Sequence, residues 1–435
     1  AIDPLAGIEV TEDYRRAKQL LDAGVPLVFV TGKAGTGKST FIHYLRHSIS
    51  KRVVVLAPTG VAALNVQGAT IHSFFRLPPR VLSKEDIQRV EDRKLYANLD
   101  VLILDEVSMI RADVLDAIDA FLRLNGKHSD QPFGGTQVVM VGDLLQLPPV
   151  VATKEEATLF SRRYTSPFFF SAKALDDQVM APIELERVFR QQDPAFVGIL
   201  NRIRLGDSSD DVLAAINVRL NAAPPAETPI VLTPTNARAD SINIEEMKAL
   251  SGDVREYEGV IAGKMNLEED KLPSPLHLRL KQNARVMFTK NDKERRWING
   301  SLGVVTETKP DSITVRLEEM GRGVVTVERV SWETYKYVYD EANDRIIPRV
   351  VASYTQFPLM PAWAVTIHKS QGKTMPAVRV DLGNGAFAPG QTYVALSRVR
   401  QLNDVCLAGV IKAYDVFCEK RIRTFYSRMF NSPLY

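Results

Sequence analysis

Residues 27–40 read Leu27-Val28-Phe29-Val30-Thr31-Gly32-Lys33-Ala34-Gly35-Thr36-Gly37-Lys38-Ser39-Thr40. An apolar run of four suits a strand buried on both faces. Gly32, Gly37, Lys38 and Ser39 then stand at the spacing of a phosphate-binding loop, and a helical pattern runs on from Lys38 to about Ile49. Glycines let backbone N–H groups curl around phosphate oxygens, and the following helix turns its positive N-terminal end to them. Gly32, Ala34, Gly35, Thr36, Gly37, Lys38, Ser39 and Thr40 are therefore the expected cradle of a nucleoside triphosphate. Lys38 offers a point charge to the β- and γ-phosphates, and the Ser39 hydroxyl is a ligand for Mg2+.

Outward from this loop, strand and helix signals alternate. Val53–Ala57, Val101–Leu104 and Val138–Val141 are further continuous apolar strands, and Val114, Leu115, Ile118, Phe121 and Leu122 keep helical spacing. Apolar strands separated by helices predict a parallel sheet covered on both faces, hence an α/β fold. Residues 70–95 interrupt the order with Phe74, Phe75, Pro78 and Pro79 and then a charged stretch, which predicts a small inserted wedge. At 435 residues the chain is too long for one core. The expected division is a first α/β domain over 1–180 and a second α/β domain over 181–435. Within the second, residues 285–360 carry short alternating strands punctuated by Gly300, Gly303, Pro310, Gly321 and Gly323, the pattern of an inserted small antiparallel β-barrel.

Two more segments bear on the phosphates. Leu104-Asp105-Glu106 closes the third strand. Asp105 is placed to hold Mg2+ and Glu106 to polarise the attacking water, a pairing that favours hydrolysis over transfer to a small acceptor. Val141-Gly142-Asp143-Leu144-Leu145-Gln146-Leu147-Pro148-Pro149 closes the fourth, and Gln146 is a neutral sensor for the γ-phosphate.

The order of these motifs is similar to that of superfamily-one nucleic-acid helicases. The likeness sharpens with Ala57-Pro58-Thr59-Gly60-Val61-Ala62-Ala63, Thr70-Ile71-His72-Ser73-Phe74-Phe75 and Glu106-Val107-Ser108-Met109. It continues through Thr233-Pro234-Thr235-Asn236, Thr366-Ile367-His368-Lys369-Ser370-Gln371-Gly372 and Tyr393-Val394-Ala395-Leu396-Ser397-Arg398. Together they resemble the PIF-type (petite integration frequency) DNA helicases, of the RecD-related 5′-to-3′ branch, over roughly residues 11–410, with a bacterial source expected. The resemblance implies two RecA-like domains with ATP between them, Arg190 and Arg398 reaching the γ-phosphate from the second, and Gln371 and Gly372 at the nucleotide. It also implies 5′-to-3′ movement on single-stranded DNA, unwinding of tailed duplexes, G-quadruplexes and DNA–RNA hybrids, and roles in DNA repair and telomere maintenance. One departure stands out. The family's adenine-reading Gln is replaced by Tyr14, with Gln19 about a turn and a half further on, so Tyr14 is expected to stack on the base.

Thr59, His72, Phe74, Thr235, Asn236, Thr366, His368 and Lys369 match the family's DNA-lining positions, with donors that suit phosphates and rings that suit stacking. Lys281, Arg285, Lys290, Lys293, Arg295 and Arg296 beside Trp297 form a further candidate basic patch, whereas Lys412, Lys420, Arg421, Arg423 and Arg428 read as a solvated face. With 55 basic against 52 acidic residues, a polyanion must be held in a local groove. No apolar run reaches the ~18–20 residues of a membrane span, and two cysteines fit a reducing interior. A cytoplasmic protein of the bacterial nucleoid is expected, monomeric in solution with a dimer on DNA as the variant. Competing readings are an RNA-directed or RecD-like translocase and a nucleotide-switched binding module without motor action.

Overall fold

A computed structural model describes residues 5, 7–151, 153–187, 191, 193–223, 229–263, 272–318 and 323–432. Six strands build the first sheet: β1 (Leu27–Gly32), β2 (Val53–Ala57), β3 (Ala69–Thr70), β4 (Val101–Leu104), β5 (Gln137–Val141) and β6 (Ala181–Leu185). They run parallel in the order β3-β2-β4-β5-β1-β6. β1, β4 and β5 are buried along their whole length, as their unbroken apolar runs require. The helix Lys38–Ser48 covers one face with Phe41, Ile42 and Leu45, and the helix Ala112–Asn125 covers the other with Leu115, Ile118, Phe121 and Leu122.

The second sheet is also parallel, in the order Ala364–Thr366, Ile230–Thr233, Val378–Val380, Val405–Leu407. Its core takes in the helices Pro194–Arg204 and Gln391–Leu396 through Phe196, Leu200, Ile203, Tyr393 and Val394. These two parallel sheets agree with the α/β pattern of the sequence and stand where the family resemblance implies two RecA-like domains.

The expected boundary at residue 181 needs correction at both ends. β6 pairs with β1 along five residues, so the first sheet extends past 180. The helix Lys420–Phe430 also returns to the first core, where Ile422, Phe425 and Tyr426 lie against Phe29 and Phe169. Its basic residues lie on an amphipathic helix whose other stripe is fully buried.

Between the parallel strands of the second sheet lies the antiparallel unit, and its limits also differ from residues 285–360. Five strands, ordered Val324–Val327, Ile313–Leu317, Leu302–Thr308, Arg285–Phe288, Leu359–Pro361, share a core with the separate pair Arg255–Glu258 and His277–Leu280. The hairpin Val330–Asp340/Arg345–Gln356 leaves this core as an arm. The arm lies on the first domain, where Tyr337 is buried and its hydroxyl bonds the Val55 backbone, while Arg52 pairs with Asp344 and Lys94 with Glu341. Among the described residues no helix is long and apolar enough to cross a membrane.

Where a wedge insertion is expected over residues 70–95, Thr70 ends β3, and the segment after it packs into the first core through Phe74, Phe75, Leu77, Leu82 and Val90. Phe74 is 6% exposed and Phe75 1% exposed. Phe74 meets Phe75, Tyr96 and Tyr337 edge-on, and Phe75 meets Phe121. The expectation that Phe74 touches nucleic acid is corrected here, because its ring is buried among three other rings. Phe75→Ala is expected to cost about 3–5 kcal/mol, the range for emptying a buried aromatic site. Urea unfolding monitored by circular dichroism checks this, and an unchanged midpoint would mean the ring is free.

Candidate active site

The phosphate loop forms where β1 ends because each fixed position has a steric reason. A side chain at Gly32 would lie 2.4 Å from the Thr36 hydroxyl and 2.9 Å from Leu185. Gly37 caps the helix at φ 81°, a backbone state that favours glycine. The Lys38 ammonium donates to the carbonyls of Gly32 at 2.7 Å and Lys33 at 3.1 Å, which lays its stem along the loop.

A cavity of about 450 Å³ opens above this loop. Ala34, Gly35, Gly37, Lys38, Ser39, Thr40, Asp105, Glu106 and Gln146 line it from the first domain, and Gly372, Thr374, Arg398 and Arg400 from the second. Glu106 sits at φ 49°, an uncommon state for a residue with a side chain. That turn brings two consecutive carboxylates to one cavity, and the Glu106 N–H donates to Asp105 Oδ1 at 2.8 Å.

Burial shapes the charges. It pushes the Asp105 carboxyl up to about 8, with the neighbouring Glu106 adding to the rise. Burial also raises Glu106, against the pull of Lys38. Lys38 is lowered by burial and supported in its charged form by Asp143 and Glu106. Two crowded carboxylates beside the Ser39 hydroxyl are hard oxygen donors short of positive charge, which fits a bound Mg2+.

From the second domain, Arg398 is 1% exposed. Its guanidinium donates to the carbonyls of Val394 at 2.7 Å and Ser370 at 3.1 Å and to the Ser397 hydroxyl at 2.7 Å. Gln371 donates through Nε2 to Gln146 Oε1 at 3.0 Å, so the two side chains meet across the cleft. Arg190 lies outside the described residues.

Several expected residues stand elsewhere. Tyr14 is 2% exposed, packed on Phe41 and Tyr44, and its hydroxyl donates to the Gly37 carbonyl at 3.0 Å. It supports the phosphate loop from beneath, and the stacking expectation is corrected, since its ring is enclosed by the first core. Gln19 is exposed on the same helix and does not line the cavity. The Thr36 hydroxyl turns inward to the Lys33 carbonyl. Thr374 and Arg400 line the cavity without having been singled out; their signal was position, each two residues beyond Gly372 and Arg398.

The nucleic-acid set gathers at the carboxyl ends of parallel strands, where α/β sheets present their ligand sites. Thr59 follows β2 and caps the next helix at the Ala62 N–H; Thr235 follows Ile230–Thr233 and caps at Arg238. Asn236, His368 and Lys369 are exposed at such ends, Thr366 is buried and accepts from the Lys369 N–H, and His72 is half-buried. Of the expected basic patch, two members are paired with carboxylates, while Lys293 and Arg295 are exposed. Arg285 is buried against Glu318, Arg296 pairs with Asp292, and Lys290 bonds the Ser331 carbonyl, while Trp297 is core.

Residues 17–212 match the model of the PIF1-like helicase family. The ATP-dependent DNA helicase Pif1 of Bdellovibrio bacteriovorus is 32% identical over 434 residues, which cover 98% of this chain and 93% of that protein. This chain belongs to the PIF1-like helicase family. The ATP-dependent DNA helicase PIF1 of Mus musculus is 33% identical over 413 residues, covering 92% of this chain, which spans 60% of the mouse protein's length. The solved structure of Bacteroides sp Pif1 with ADP-AlF4 superposes with a TM-score of 0.87 at 34% identity, covering 98% of both chains.

Glu106→Gln keeps shape and removes the carboxylate expected to polarise the attacking water. It is expected to bind nucleotide and lower turnover by about 100-fold or more, the scale of losing a general base. Single-turnover hydrolysis beside equilibrium nucleotide binding checks this, and near-normal turnover would remove Glu106 from that role.

Proposed function

We propose that this chain is an ATP-driven DNA helicase that moves 5′-to-3′ on single-stranded DNA and opens the duplex ahead of it. The observation that carries the reading is a single cavity walled by Lys38, Asp105 and Glu106 from one RecA-like domain and Arg398 from the other. A site split in this way ties the state of the phosphates to the distance between domains.

In hydrolysis, Glu106 accepts a proton from water as the water oxygen attacks the γ-phosphorus, and the bridging oxygen departs with ADP. Lys38 and the loop N–H groups hold the β- and γ-oxygens, and Arg398 meets charge gathering at the far side. Bound at Ser39 and Asp105, Mg2+ would neutralise charge on the β- and γ-phosphates. Gln146, already bonded to Gln371, registers whether the γ-phosphate is in place. Loss of that group releases the second domain, and Arg190 is a second candidate for this contact.

Thr59, Thr235, Asn236, Thr366, His368, Lys369 and His72 are the proposed hold on the strand, divided between the two domains so that their grips alternate. Opening one base-pair step costs ~1.4 kcal/mol, well within one hydrolysis event. Solved Bacteroides sp Pif1 bound to single-stranded DNA, and a forked duplex opened by two coordinating Pif1 helicases, support DNA as partner and a second copy at a fork. G-quadruplexes, DNA–RNA hybrids and a nucleoid location belong to the same reading through family likeness.

Strand separation on duplexes with a 5′ or a 3′ single-stranded tail tests it. With ATP and Mg2+, the 5′-tailed duplex is expected to open and the 3′-tailed one to persist. Opening from the 3′ tail would overturn the direction, and no opening from either would overturn the motor.

A further inference from the structure

Behind the nucleotide cavity sits a buried ion pair that none of the steps above uses. Arg204 ends the helix Pro194–Arg204, whose Phe196, Leu200 and Ile203 belong to the second core. Its Nη2 donates to Asp143 Oδ1 at 2.9 Å, and both side chains are almost wholly enclosed. Asp143 stands just past β5, in the first domain.

The second oxygen of Asp143 explains why this pair concerns the chemistry. Asp143 Oδ2 accepts from Gln146 Nε2 at 3.2 Å, and Oδ1 also accepts from the Leu145 N–H at 3.1 Å. A carboxylate accepts only, so the end of Gln146 facing it must be the amide nitrogen. The amide oxygen then faces Gln371 and the cleft. The same short segment is pressed from the other side by Gly390, where a Cβ would lie 2.4 Å from the Gln146 carbonyl oxygen. With no side chain there, the second domain's backbone comes right up to Leu145–Gln146.

We infer that Arg204 is a positioning residue for hydrolysis: it holds Asp143 in place from the second domain, and Asp143 in turn sets which way Gln146 presents its amide to the γ-phosphate. This rests on the ATPase reading above. Burial alone would push the Asp143 carboxyl up, yet Arg204, with Lys38, keeps it below the usual carboxylate range. Buried ion pairs seldom stabilise a fold more than an apolar pair of the same size. Its place one hydrogen bond from Gln146 gives it a use that stability does not. Because Arg204 moves with the second domain and Gln146 with the first, the orientation of the sensor depends on how the domains meet.

Three variants of the full chain test this by steady-state hydrolysis of ATP with Mg2+, with and without single-stranded DNA. Arg204→Met is expected to lower DNA-stimulated kcat by about 100-fold, the scale of losing one preorganised donor, while KM for ATP moves by less than about threefold. Arg204→Lys restores a cation and is expected to recover at least about tenfold of that loss. Should the single neutral variant fold poorly, Asp143→Leu with Arg204→Met removes both charges at once and is expected to fold while keeping the low kcat. A wild-type chain without DNA-stimulated hydrolysis overturns this inference together with the function above. An active wild type beside a folded double variant whose kcat lies within about threefold of it overturns the role of Arg204 alone.

Discussion

Lys38 must keep a positive charge where water is scarce, and the rest of the site is organised around that need. A lone ammonium in such a place loses its proton or its position. Here Asp143 and Glu106 oppose the loss, and Arg204 balances Asp143 in turn. The network draws on β1, the turn after β5, a helix of the second domain and the last helix of the chain. Tyr426 of that last helix shares a hydrogen bond with Thr31 at 2.7 Å and accepts from the Leu144 N–H at 3.2 Å. Charge burial under one loop therefore binds together segments that the sequence holds far apart.

Among the described residues, hydrogen bonds join the two domains at this site. Tyr393 accepts from the Ala34 N–H at 2.9 Å, Gln371 meets Gln146, and Arg204 meets Asp143. Hydrogen bonds of this kind exchange partners at small net cost, whereas a packed apolar seam resists rearrangement. Most apolar burial lies within each domain, in the clusters around Phe29 and Phe121 and around Leu232 and Val394, while Ala34 and Leu147 of the first domain join the second cluster and Tyr337 of the arm joins the first.

The arm adds a different kind of contact. Its Tyr337 is buried in the first core, but its ion pairs, Arg52 with Asp344 and Lys94 with Glu341, involve exposed partners. Exposed pairs contribute little, typically under about 1 kcal/mol. The arm's hold on the first domain therefore rests on apolar contacts, Tyr337 and Ile346 in the first core and Leu64 against the Trp332–Tyr354 cluster, and on the two bonds of Tyr337 to Val55.

Local pattern alone was enough for the phosphate loop, the strands flanking it and the carboxylates at the end of β4. Spacing within a few residues decides backbone turns and strand burial, and Lys38, Asp105, Glu106 and Gln146 line one cavity with Arg398, which only the family resemblance pointed to. What lay beyond reach were side chains whose surroundings come from distant segments. Tyr14 is an aromatic near a nucleotide in sequence, yet its ring is closed off by Phe41 and Tyr44. Phe74 was ambiguous until Tyr337, from the arm, covered it. The run Lys281–Arg296 reads as a charged surface in one dimension, but Glu318 reaches Arg285 only through strand pairing. β6 and the helix Lys420–Phe430 follow the same rule, because a short apolar strand or an amphipathic stripe does not say which core it will join. The amino-acid order by itself determined which backbone turns and buried strands form, since those depend on nearest neighbours. Tertiary structure alone decided which charges face each other and which domain owns each end, since those depend on packing across the chain.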